Sequence, residues 1–431
     1  MKEVKTIIVL DDDPTGTQTV HGVPVITNWE KTTIETEYEN KTPLFYILTN
    51  SRALVTAEAE KMAFQIGSTI KEIGKPTFVI SRGDSTLRGH FPEEVTALAT
   101  GLGWENDYLI VLAPAFFEGN RFTKDDIHYV KEGEEWIPAA ETPYAKDKTF
   151  GYTNSNIREW VVEKSKGKIS LSEIDSVSIS ELESFDNDLI LNKIEITPKV
   201  LIVNALSPEH LEGFVKVLGK TKRHIVFRTA ASFVPAIGEI AKKPLLERED
   251  FLQGNSNSGG LIVVGSHVPK TTQQLNALFK SDIEPLEFEV EKFLIEGKVY
   301  FNELSRKLNE ILGNKKDVVL YTSRQLVSKR TENESLILSV RVSLGLIFLV
   351  QNLAQRPAFL IAKGGITSSD VATKGLGIQR ALVLGQILPG VPVWQADQSS
   401  RFPDLTYVVF PGNVGDEFGL LDAYNKLNLK P

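Results

Sequence analysis

The sequence predicts an α/β protein of two non-similar domains, each with a largely parallel sheet, and an active site in the cleft between the domains. Its length of 431 residues exceeds that of a single ordinary domain. Apolar runs of β-forming residues alternate with segments of helical periodicity, a pattern typical of parallel strands joined by crossover helices. Glycine-rich or charged loops follow several of these runs, and ligands of such sheets bind where the strands end.

The composition is that of an ordinary globular chain. Hydrophobic residues make up 42% and charged residues 24% of the sequence, which argues against a disordered or fibrous protein. The net charge of -8 and the lack of a basic cluster interleaved with aromatic residues predict that nucleic acid is not a partner. The chain contains no cysteine, so disulfides, thiolate metal sites and cysteine nucleophiles are excluded.

Two segments bear on the location of the protein. Residues 1–5 lead directly into a predicted strand and lack the apolar core of a signal peptide. The most apolar helix candidate, residues 336–353, contains Arg341, so we interpret it as a buried core helix rather than a membrane span. Together with the absence of cysteine, these features lead us to expect a cytoplasmic protein with no membrane partner.

An acidic loop follows the first predicted strand. Residues 7–10 are four apolar β-formers, and they run into three adjacent carboxylates, Asp11, Asp12 and Asp13. Because neighbouring carboxylates repel each other, a fold rarely gathers three of them for stability. They suit a general base, a metal ion or a ligand rich in hydroxyls. The alternative is a solvated turn with no function.

Two more predicted strands end in polar loops. Strand 44–48 is followed by a loop that contains Arg52. Strand 77–80 is followed by a loop, bracketed by glycines, that contains Arg82, Asp84, Ser85 and Arg88. Guanidinium groups beside an acid and hydroxyls are suited to hold a carboxylate or a polyol. An ordinary polar connection between a strand and a helix is the alternative interpretation.

We predict a substrate-binding domain over residues 1–240, a linker over 241–260 and a second domain over 261–431. The linker prediction rests on a run of charges followed by a polar segment rich in glycine, asparagine and serine. Within the first domain, residues 122–152 contain few periodic runs and predict a hairpin or a lid of loops. Within the second domain, residues 371–384 have the spacing of a helix.

The second domain has glycine loops after its predicted strands. Strand 261–264 ends at Gly265, and strand 359–362 gives way to Lys363, Gly364 and Gly365. Backbone amides beside paired glycines at the start of a helix form an anion site, because their N–H groups and the helix dipole point at the ligand. Phosphate is the natural ligand of such a site.

Several familiar motifs are missing or incomplete. The chain has no P-loop, residues 375–380 lack the third glycine of a dinucleotide-binding motif, and the histidines show no metal-binding spacing. The acidic loop does satisfy the DxDxT pattern of haloacid-dehalogenase-type phosphatases, with Asp11 as nucleophile and Asp13 as acid and base. That phosphatase and a non-catalytic metabolite sensor are the two alternative functions.

Four motifs together are similar to those of a known family. They are DDDPTG at 11–16, DSTLRG at 84–89, KGGIT at 363–367 and PGNVG at 411–415, and DSTLRG is the most specific. Through these motifs the chain resembles the four-carbon acid sugar kinases, which include threonate, erythronate and 3-oxo-tetronate kinases. The similarity runs nearly from end to end.

The resemblance implies an N-terminal domain that binds an acid sugar and a C-terminal domain that binds ATP, with phosphorylation of a terminal hydroxyl. Val268 stands where many members of the family have a second serine, and Phe410-Pro411 stands where many have Lys-Ser. The implied ATP contacts fall on Ser266, His267, Gly364, Gly365, Ile366, Thr367 and Gly412.

Phosphoryl transfer needs positioning and neutralisation of charge, which assigns hypothetical roles to these residues. We expect Arg82 and Arg88 to hold the substrate carboxylate, and Asp12 or Asp13 to accept the proton of the attacked hydroxyl. Lys363 would stabilise the phosphates. The hydroxyls of the substrate would be oriented by Arg52, Asp84 and Ser85.

Mg²⁺ would bridge the phosphates of ATP, but the sequence does not identify its ligands. Two further questions are open at the level of sequence. One is which sugar acid is phosphorylated and at which hydroxyl. The other is the oligomeric state, for which a homodimer is one option.

Overall fold

The computed structural model describes residues 5–105, 107–251, 257–265, 268–324 and 332–428, with the side chains of 332–339 left out. The chain divides into two compact units, residues 1–242 and 243–431.

The N-terminal unit is built on parallel strands flanked by helices. Its strands are β1 (Thr6–Asp11), β2 (Val23–Ile26), β3 (Leu44–Leu48), β4 (Thr77–Arg82), β5 (Leu109–Ala113), β6 (Arg121–Lys124), β7 (Ile127–Glu132), β8 (Glu135–Pro138), β9 (Ile174–Val177), β10 (Val200–Val203) and β11 (Ile225–Thr229). Its helices are α1 (Lys31–Glu39), α2 (Thr56–Ile73), α3 (Glu93–Gly101), α4 (Ile157–Lys164), α5 (Ile179–Glu183), α6 (Asn187–Ile196), α7 (Pro208–Leu218) and α8 (Phe233–Ile237).

The sheet of this unit has the strand order β2-β3-β1-β4-β11-β5-β10-β9, and every pairing in it is parallel. Side chains on its strands, such as Ile8, Phe45, Val79 and Ile110, are fully buried, which is typical of parallel strands covered on both faces. Burying one side chain of this size contributes about 1.5–3 kcal/mol. The strands therefore consist of almost uninterrupted apolar residues, which is the pattern from which the sequence predicts them.

The register brings the ends of four neighbouring strands to one edge of the sheet. Asp11 at the end of β1 pairs with Leu48 of β3 on one side and with Arg82 of β4 on the other. Arg82 in turn pairs with Thr229 at the end of β11. The loops that follow these strands therefore start side by side, which is where ligands of parallel sheets bind.

Residues 122–152, predicted to form a hairpin or a lid of loops, contain a small sheet. Strands β6, β7 and β8 pair antiparallel in that order, and short 3-10 turns follow them.

The C-terminal unit is built on strands of mixed direction. Its strands are β12 (Leu261–Val264), β13 (Glu284–Phe288), β14 (Val318–Thr322), β15 (Leu360–Lys363), β16 (Arg380–Leu388), β17 (Val391–Ala396) and β18 (Thr406–Phe410). Its helices are α9 (Pro269–Leu278), α10 (Val290–Glu296), α11 (Lys298–Gly313), α12 (Glu332–Gln351), α13 (Gly365–Asp370) and α14 (Gly419–Leu427). The order is β13-β14-β12-β15-β18-β17-β16, parallel from β13 to β18 and antiparallel beyond. The prediction of two α/β domains with largely parallel sheets is confirmed.

The helix predicted over 371–384 is wrong. Helix α13 ends at Asp370, a single π-helical turn covers Val371–Gly375, and β16 begins at Arg380. Along β16 buried and half-buried residues alternate strictly, which is typical of a strand with one face on the core, and the strand forms a hairpin with β17 around Gly390. The apolar residues of this segment satisfy both the helical and the alternating spacing, so the pattern alone could not distinguish the two structures.

No helix in the described ranges combines the length and the apolar character needed to cross a membrane.

Candidate functional site

Asp11, Asp12 and Arg82 form the buried base of a charged cluster at the strand ends of the N-terminal unit. One guanidinium nitrogen of Arg82 lies 3.3 Å from Oδ1 of Asp11 and 3.8 Å from Oδ1 of Asp12. The three residues are only 1%, 3% and 4% exposed. At this depth Arg82 compensates the negative charge of the acidic loop.

Arg52 connects the two acidic loops. Its guanidinium hydrogen-bonds to Oδ2 of Asp13 and lies 3.1 Å from Oδ1 of Asp84, and its Nε lies 4.0 Å from Oδ2 of Asp12. The side chain comes from the loop after β3, where Asn50 adopts a left-handed conformation with φ 50° before a short 3-10 turn. Arg52 therefore links the two acidic loops within the site, and part of its side chain remains exposed.

Arg88 makes a two-pronged contact with Asp84. Its Nε donates to Oδ2 at 3.0 Å and its NH2 donates to Oδ1 at 3.1 Å. Asp84 also accepts the backbone N–H of Thr86 at 3.0 Å, which closes the loop on itself. The remaining nitrogen of Arg88 lies 3.5 Å from Oδ2 of Asp147, a residue that the sequence analysis does not include in the site.

The arginines set the protonation of two carboxyl groups. Burial by itself would raise the pKa of Asp13, but Arg52 and the hydrogen bonds from Thr15 outweigh it and hold that pKa below its usual range. Burial is likewise outweighed at Asp84, where Arg52 and Arg88 lower the pKa. Both groups are therefore ionised near neutral pH.

Asp12 differs from these neighbours. Burial raises its pKa despite the opposing charges of Arg52, Arg82 and Arg228. Within the described part of the chain, neither of its carboxylate oxygens accepts a hydrogen bond. Buried polar atoms are rarely left without partners, so each such case calls for an explanation. A carboxylate with free lone pairs and a raised pKa is suited to accept a proton from a ligand.

Asp11 is shielded from any ligand. Burial raises its pKa to about 7, and its Oδ1 contacts Arg82 at 3.3 Å. Gly16 packs directly on the carboxylate, so that a Cβ atom at this position would collide with it. Asp11 therefore has a structural role: it stabilises the acidic loop.

Arg228 is a component that sequence reasoning missed. It lies on β11, is 7% exposed, and donates to Oγ of Ser81 at 2.9 Å and to Oε2 of Glu94 at 3.4 Å. A Cβ atom at either Gly83 or Gly89 would collide with its guanidinium. A charged residue inside a strand of apolar residues was the available signal, because arginine is rarely buried without a partner.

His128 links the small sheet to the loop after β4. Its Nε2 lies 2.7 Å from the carbonyl oxygen of Ser85 and its Nδ1 lies 3.0 Å from Oγ1 of Thr123. Burial lowers the pKa of His128 to about 4, so the ring is neutral. Nε2 then donates to Ser85 and Nδ1 accepts from Thr123, which fixes the backbone of Ser85, whose side chain is half-buried.

In the C-terminal unit, Lys363 joins two of the predicted glycine loops. Its ammonium donates to the carbonyl oxygens of Pro411 at 3.0 Å and Gly412 at 3.4 Å, and lies 4.2 Å from the centre of the Phe410 ring. Burial, with Lys270 nearby, lowers its pKa to about 7. The side chain of Lys363 is fully buried, so these contacts indicate that it positions the loop. A direct contact between Lys363 and phosphate stays a prediction.

The loop after β15 adopts a conformation suited to glycine. Gly364 has φ 113°, which other residues rarely adopt, and donates to the carbonyl of Phe410 at 2.9 Å. Gly365 begins α13, Ile366 is 60% exposed, and the hydroxyl of Thr367 occupies the space beside Gly265.

Gln274 is a further residue missed by the sequence analysis. It is fully buried on α9, and its amide donates to the carbonyls of Val414 at 3.0 Å and Asp416 at 2.6 Å. It therefore holds the glycine loop that follows β18. The predicted contacts Gly364, Gly365, Thr367 and Gly412 lie on loops that are tied together, whereas Ser266 and His267 lie outside the described residues.

The residues do not define a Mg²⁺ site. In the described ranges, no three acidic or histidine side chains lie close enough together to hold a metal ion. Mg²⁺ that accompanies ATP binds mainly to phosphates and water, with one or two carboxylates.

The fold and these two clusters define an α/β protein with a polar, charge-rich site in one unit and glycine loops in the other. Residues 7–237 match the family described as the sugar-binding N-terminal domain, and residues 261–420 match the nucleotide-binding C-terminal domain. The chain belongs to the four-carbon acid sugar kinase family, whose architecture combines these two domains.

Two solved structures share the fold over the whole chain. A Haemophilus influenzae protein from a family of unknown function has a TM-score of 0.67 at 15% identity and covers 97% of this chain and 100% of its own. A Salmonella typhimurium LT2 protein, which carries the provisional name of a tRNA synthase, has a TM-score of 0.72 at 16% identity and covers 99% and 100%. No curated protein matches the sequence. At these identities the similarity establishes the fold alone.

Proposed function

We propose that the protein is an ATP-dependent kinase that phosphorylates a terminal hydroxyl of a small sugar acid, such as threonate, erythronate or a 3-oxo-tetronate. Its sugar-binding and nucleotide-binding domains indicate a sugar kinase. The observation that carries the finer proposal is the state of Asp12: a buried carboxylate without hydrogen-bond partners in the described residues, surrounded by arginines.

Asp12 is the general base in this proposal. It accepts the proton of the attacking hydroxyl, and its raised pKa brings its basicity closer to that needed at neutral pH. Asp13 is held by Arg52 and Thr15 in its ionised form, so its role is to orient rather than to exchange protons. Arg82 balances the charge of the acidic loop from below.

Arg52, Asp84 and Ser85 orient the other hydroxyls of the substrate. Arg52 and Asp84 are partly exposed at the edge of the cluster, so they offer both donors and acceptors to a polyol. In the nucleotide-binding domain, the backbone amides near Gly364 and Gly365 bind phosphate oxygens, and Lys363 holds the neighbouring loop in place.

The phosphatase alternative requires Asp11 as an accessible nucleophile. Asp11 is 1% exposed and is covered by Gly16, which disfavours in-line attack on a phosphate ester. The sensor alternative predicts binding of a sugar acid without turnover.

An ADP-release assay coupled to a redox readout tests the proposal. Tetronates, pentonates and their 3-oxo forms are each added with ATP and Mg²⁺, and the wild-type protein is compared with Asp12→Asn. We expect ADP release only with a sugar acid present, and a loss of turnover in the variant. Release of phosphate from sugar phosphates without nucleotide would instead support the phosphatase, and failure of every acid in the panel would refute the proposed substrate class.

A further inference from the structure

Four arginines of the charged cluster are already paired with acidic side chains. Arg52 contacts Asp13 and Asp84, and Arg82 contacts Asp11 and Asp12. Arg88 is bound by Asp84 and Asp147, and Arg228 by Glu94. A substrate carboxylate that approached any of the four would compete with a carboxylate of the protein itself.

Arg121, at the start of β6, has a different environment. No acidic side chain in the described part of the chain lies within 4.0 Å of its guanidinium. One nitrogen donates to the carbonyl of Gly119 and another to the hydroxyl of Tyr144 at 3.3 Å. Its Nε is buried and has no hydrogen-bond partner among the described residues. Arg121 is thus a half-buried cation that makes no direct ion pair with an acidic side chain among the described residues.

Arg121 nevertheless belongs to the same cluster. The ring of Tyr144 is close to two guanidinium groups, with its centre 5.3 Å from Cζ of Arg88 and 5.5 Å from Cζ of Arg121. The charge of Arg121 also acts on His128, the residue that holds the carbonyl of Ser85. Arg121 and Tyr144 therefore border the loop that carries the proposed substrate contacts.

Tyr144 adds a hydrogen-bond donor to this pair. Its oxygen accepts a hydrogen bond from Arg121, which leaves its own O–H free to donate. A guanidinium and a neighbouring hydroxyl are together suited to a carboxylate, because both present donors to an acceptor-only group. A neutral polyol gains less from such a pair, since it carries no charge to neutralise.

From this geometry we infer that Arg121, with the hydroxyl of Tyr144, binds the carboxylate of the substrate and so selects a sugar acid over a neutral polyol. This inference rests on the proposed function and changes one of its assignments. Arg82, which is 4% exposed and paired with Asp11, then acts within the protein, and Arg88 positions Asp84 and the ring of Tyr144.

Calorimetric binding without nucleotide tests the inference, with threonate and erythronate as acids and erythritol as the neutral counterpart. We expect Arg121→Met to weaken acid binding by about 10- to 100-fold, the loss typical of a charge-assisted hydrogen bond. Arg121→Lys should restore part of the affinity, because it keeps the charge and loses the fork. Tyr144→Phe should weaken acid binding by a smaller factor.

In turnover, Arg121→Met should raise KM and leave kcat within about 3-fold of wild type.

Lys124→Met is the matched control, because Lys124 is an exposed cation on the same strand. The inference is overturned if Arg121→Met binds the acids as tightly as wild type, if Lys124→Met weakens binding equally, or if the wild type binds neither acid. Binding that depends on Arg121 without any consumption of ATP would uphold the inference and refute the kinase. If Arg121→Met turns over a sugar acid with the same kinetics as the wild type, the inference is refuted and the kinase is upheld.

Discussion

Arg88 binds Asp84 through two hydrogen bonds, of 3.0 and 3.1 Å, and the two residues lie four positions apart in one loop. Such a fork fixes both the position and the plane of the carboxylate, which a single contact with lysine would not. Because Asp84 also contacts Arg52 at 3.1 Å, the loop after β4 is tied to the loop after β3 through this one acid.

Asp84→Asn should therefore destabilise the N-terminal unit. Removing one partner of a buried ion pair costs about 3–5 kcal/mol, and we expect about 2 kcal/mol here because Arg52 and Arg88 are partly exposed. Thermal unfolding monitored by calorimetry measures the change. Asp147→Asn is the control, since it removes a carboxylate 3.5 Å from Arg88 that is 28% exposed. An equal effect of the two substitutions would contradict a special role for Asp84.

Asp12→Asn should lower kcat by about two to four orders of magnitude, because the amide cannot accept the proton of the substrate. Asp188→Asn, which alters an exposed carboxylate on α6, should have no effect on turnover. Since burial raises the pKa of Asp12, the wild-type kcat/KM should fall with acidification at a pH above the pKa of about 3.9 of an unperturbed aspartate. A profile that is flat down to that value would argue against Asp12 as the base.

Gly89→Ala should displace Arg228 and destabilise the N-terminal unit. A Cβ atom at Gly89 would collide with the guanidinium, and the φ of 117° is unfavourable for alanine. Gly213→Ala on α7 is the control, because nothing lies within 4 Å of the added Cβ and alanine favours a helix. We expect the free energy of unfolding to fall by about 1–3 kcal/mol in Gly89→Ala only. Chemical denaturation measures both variants, and similar stability would contradict the close contact.

His128 should make the stability of the N-terminal unit depend on pH. Its pKa is about 4 in the folded protein, below the value of about 6.5 in an unfolded chain. The stability that the neutral His128 ring contributes is complete above pH ~6.5. It is lost as the pH falls through the pKa of His128 in the folded protein, because the unfolded chain binds a proton that the folded chain excludes. The full loss is on the order of 3 kcal/mol.

The pKa of Asp11 is raised to about 7 in the folded protein, so Asp11 acts in the opposite direction between pH ~4 and pH ~6.5: its contribution to stability rises as the pH falls. The informative quantity is therefore the difference between the wild type and His128→Gln, followed by thermal unfolding from pH 7.5 down to pH ~4. This difference in stability should shrink on acidification. A constant difference between wild type and His128→Gln would mean that His128 does not titrate as stated.

Lys363→Met should weaken nucleotide binding by about 10-fold and leave sugar-acid binding unchanged, because it frees the carbonyls of Pro411 and Gly412. Titration with ADP and with threonate measures both affinities. Lys374→Met removes a lysine that is 61% exposed and should affect neither. Equal ADP affinity of Lys363→Met and the wild type would show that the loop does not depend on this lysine.

Much of the fold could be predicted from local patterns. Strands β1, β3 and β4 are apolar runs that end in charged loops, and this pattern reflects burial of parallel strands on both faces. Strands β9 and β13 are missing from the prediction. Both lie at one end of their strand orders, and β13 is largely exposed, so its sequence carries little of the apolar signal.

The sequence by itself determined that acids, arginines and glycines gather in the loops after the strands, because these residues directly follow apolar strands whose ends must meet at one edge of a parallel sheet. Only the tertiary structure decided which of these charges neutralise each other. Arg228 reaches Ser81 across 147 positions of the chain, and no local pattern encodes such a contact. The pairing left Asp12 without a hydrogen-bond donor, and Arg121 without an acid, among the described residues. Protonation and charge balance depend on distances of a few ångströms between distant segments, so they follow from the fold rather than from residue identity.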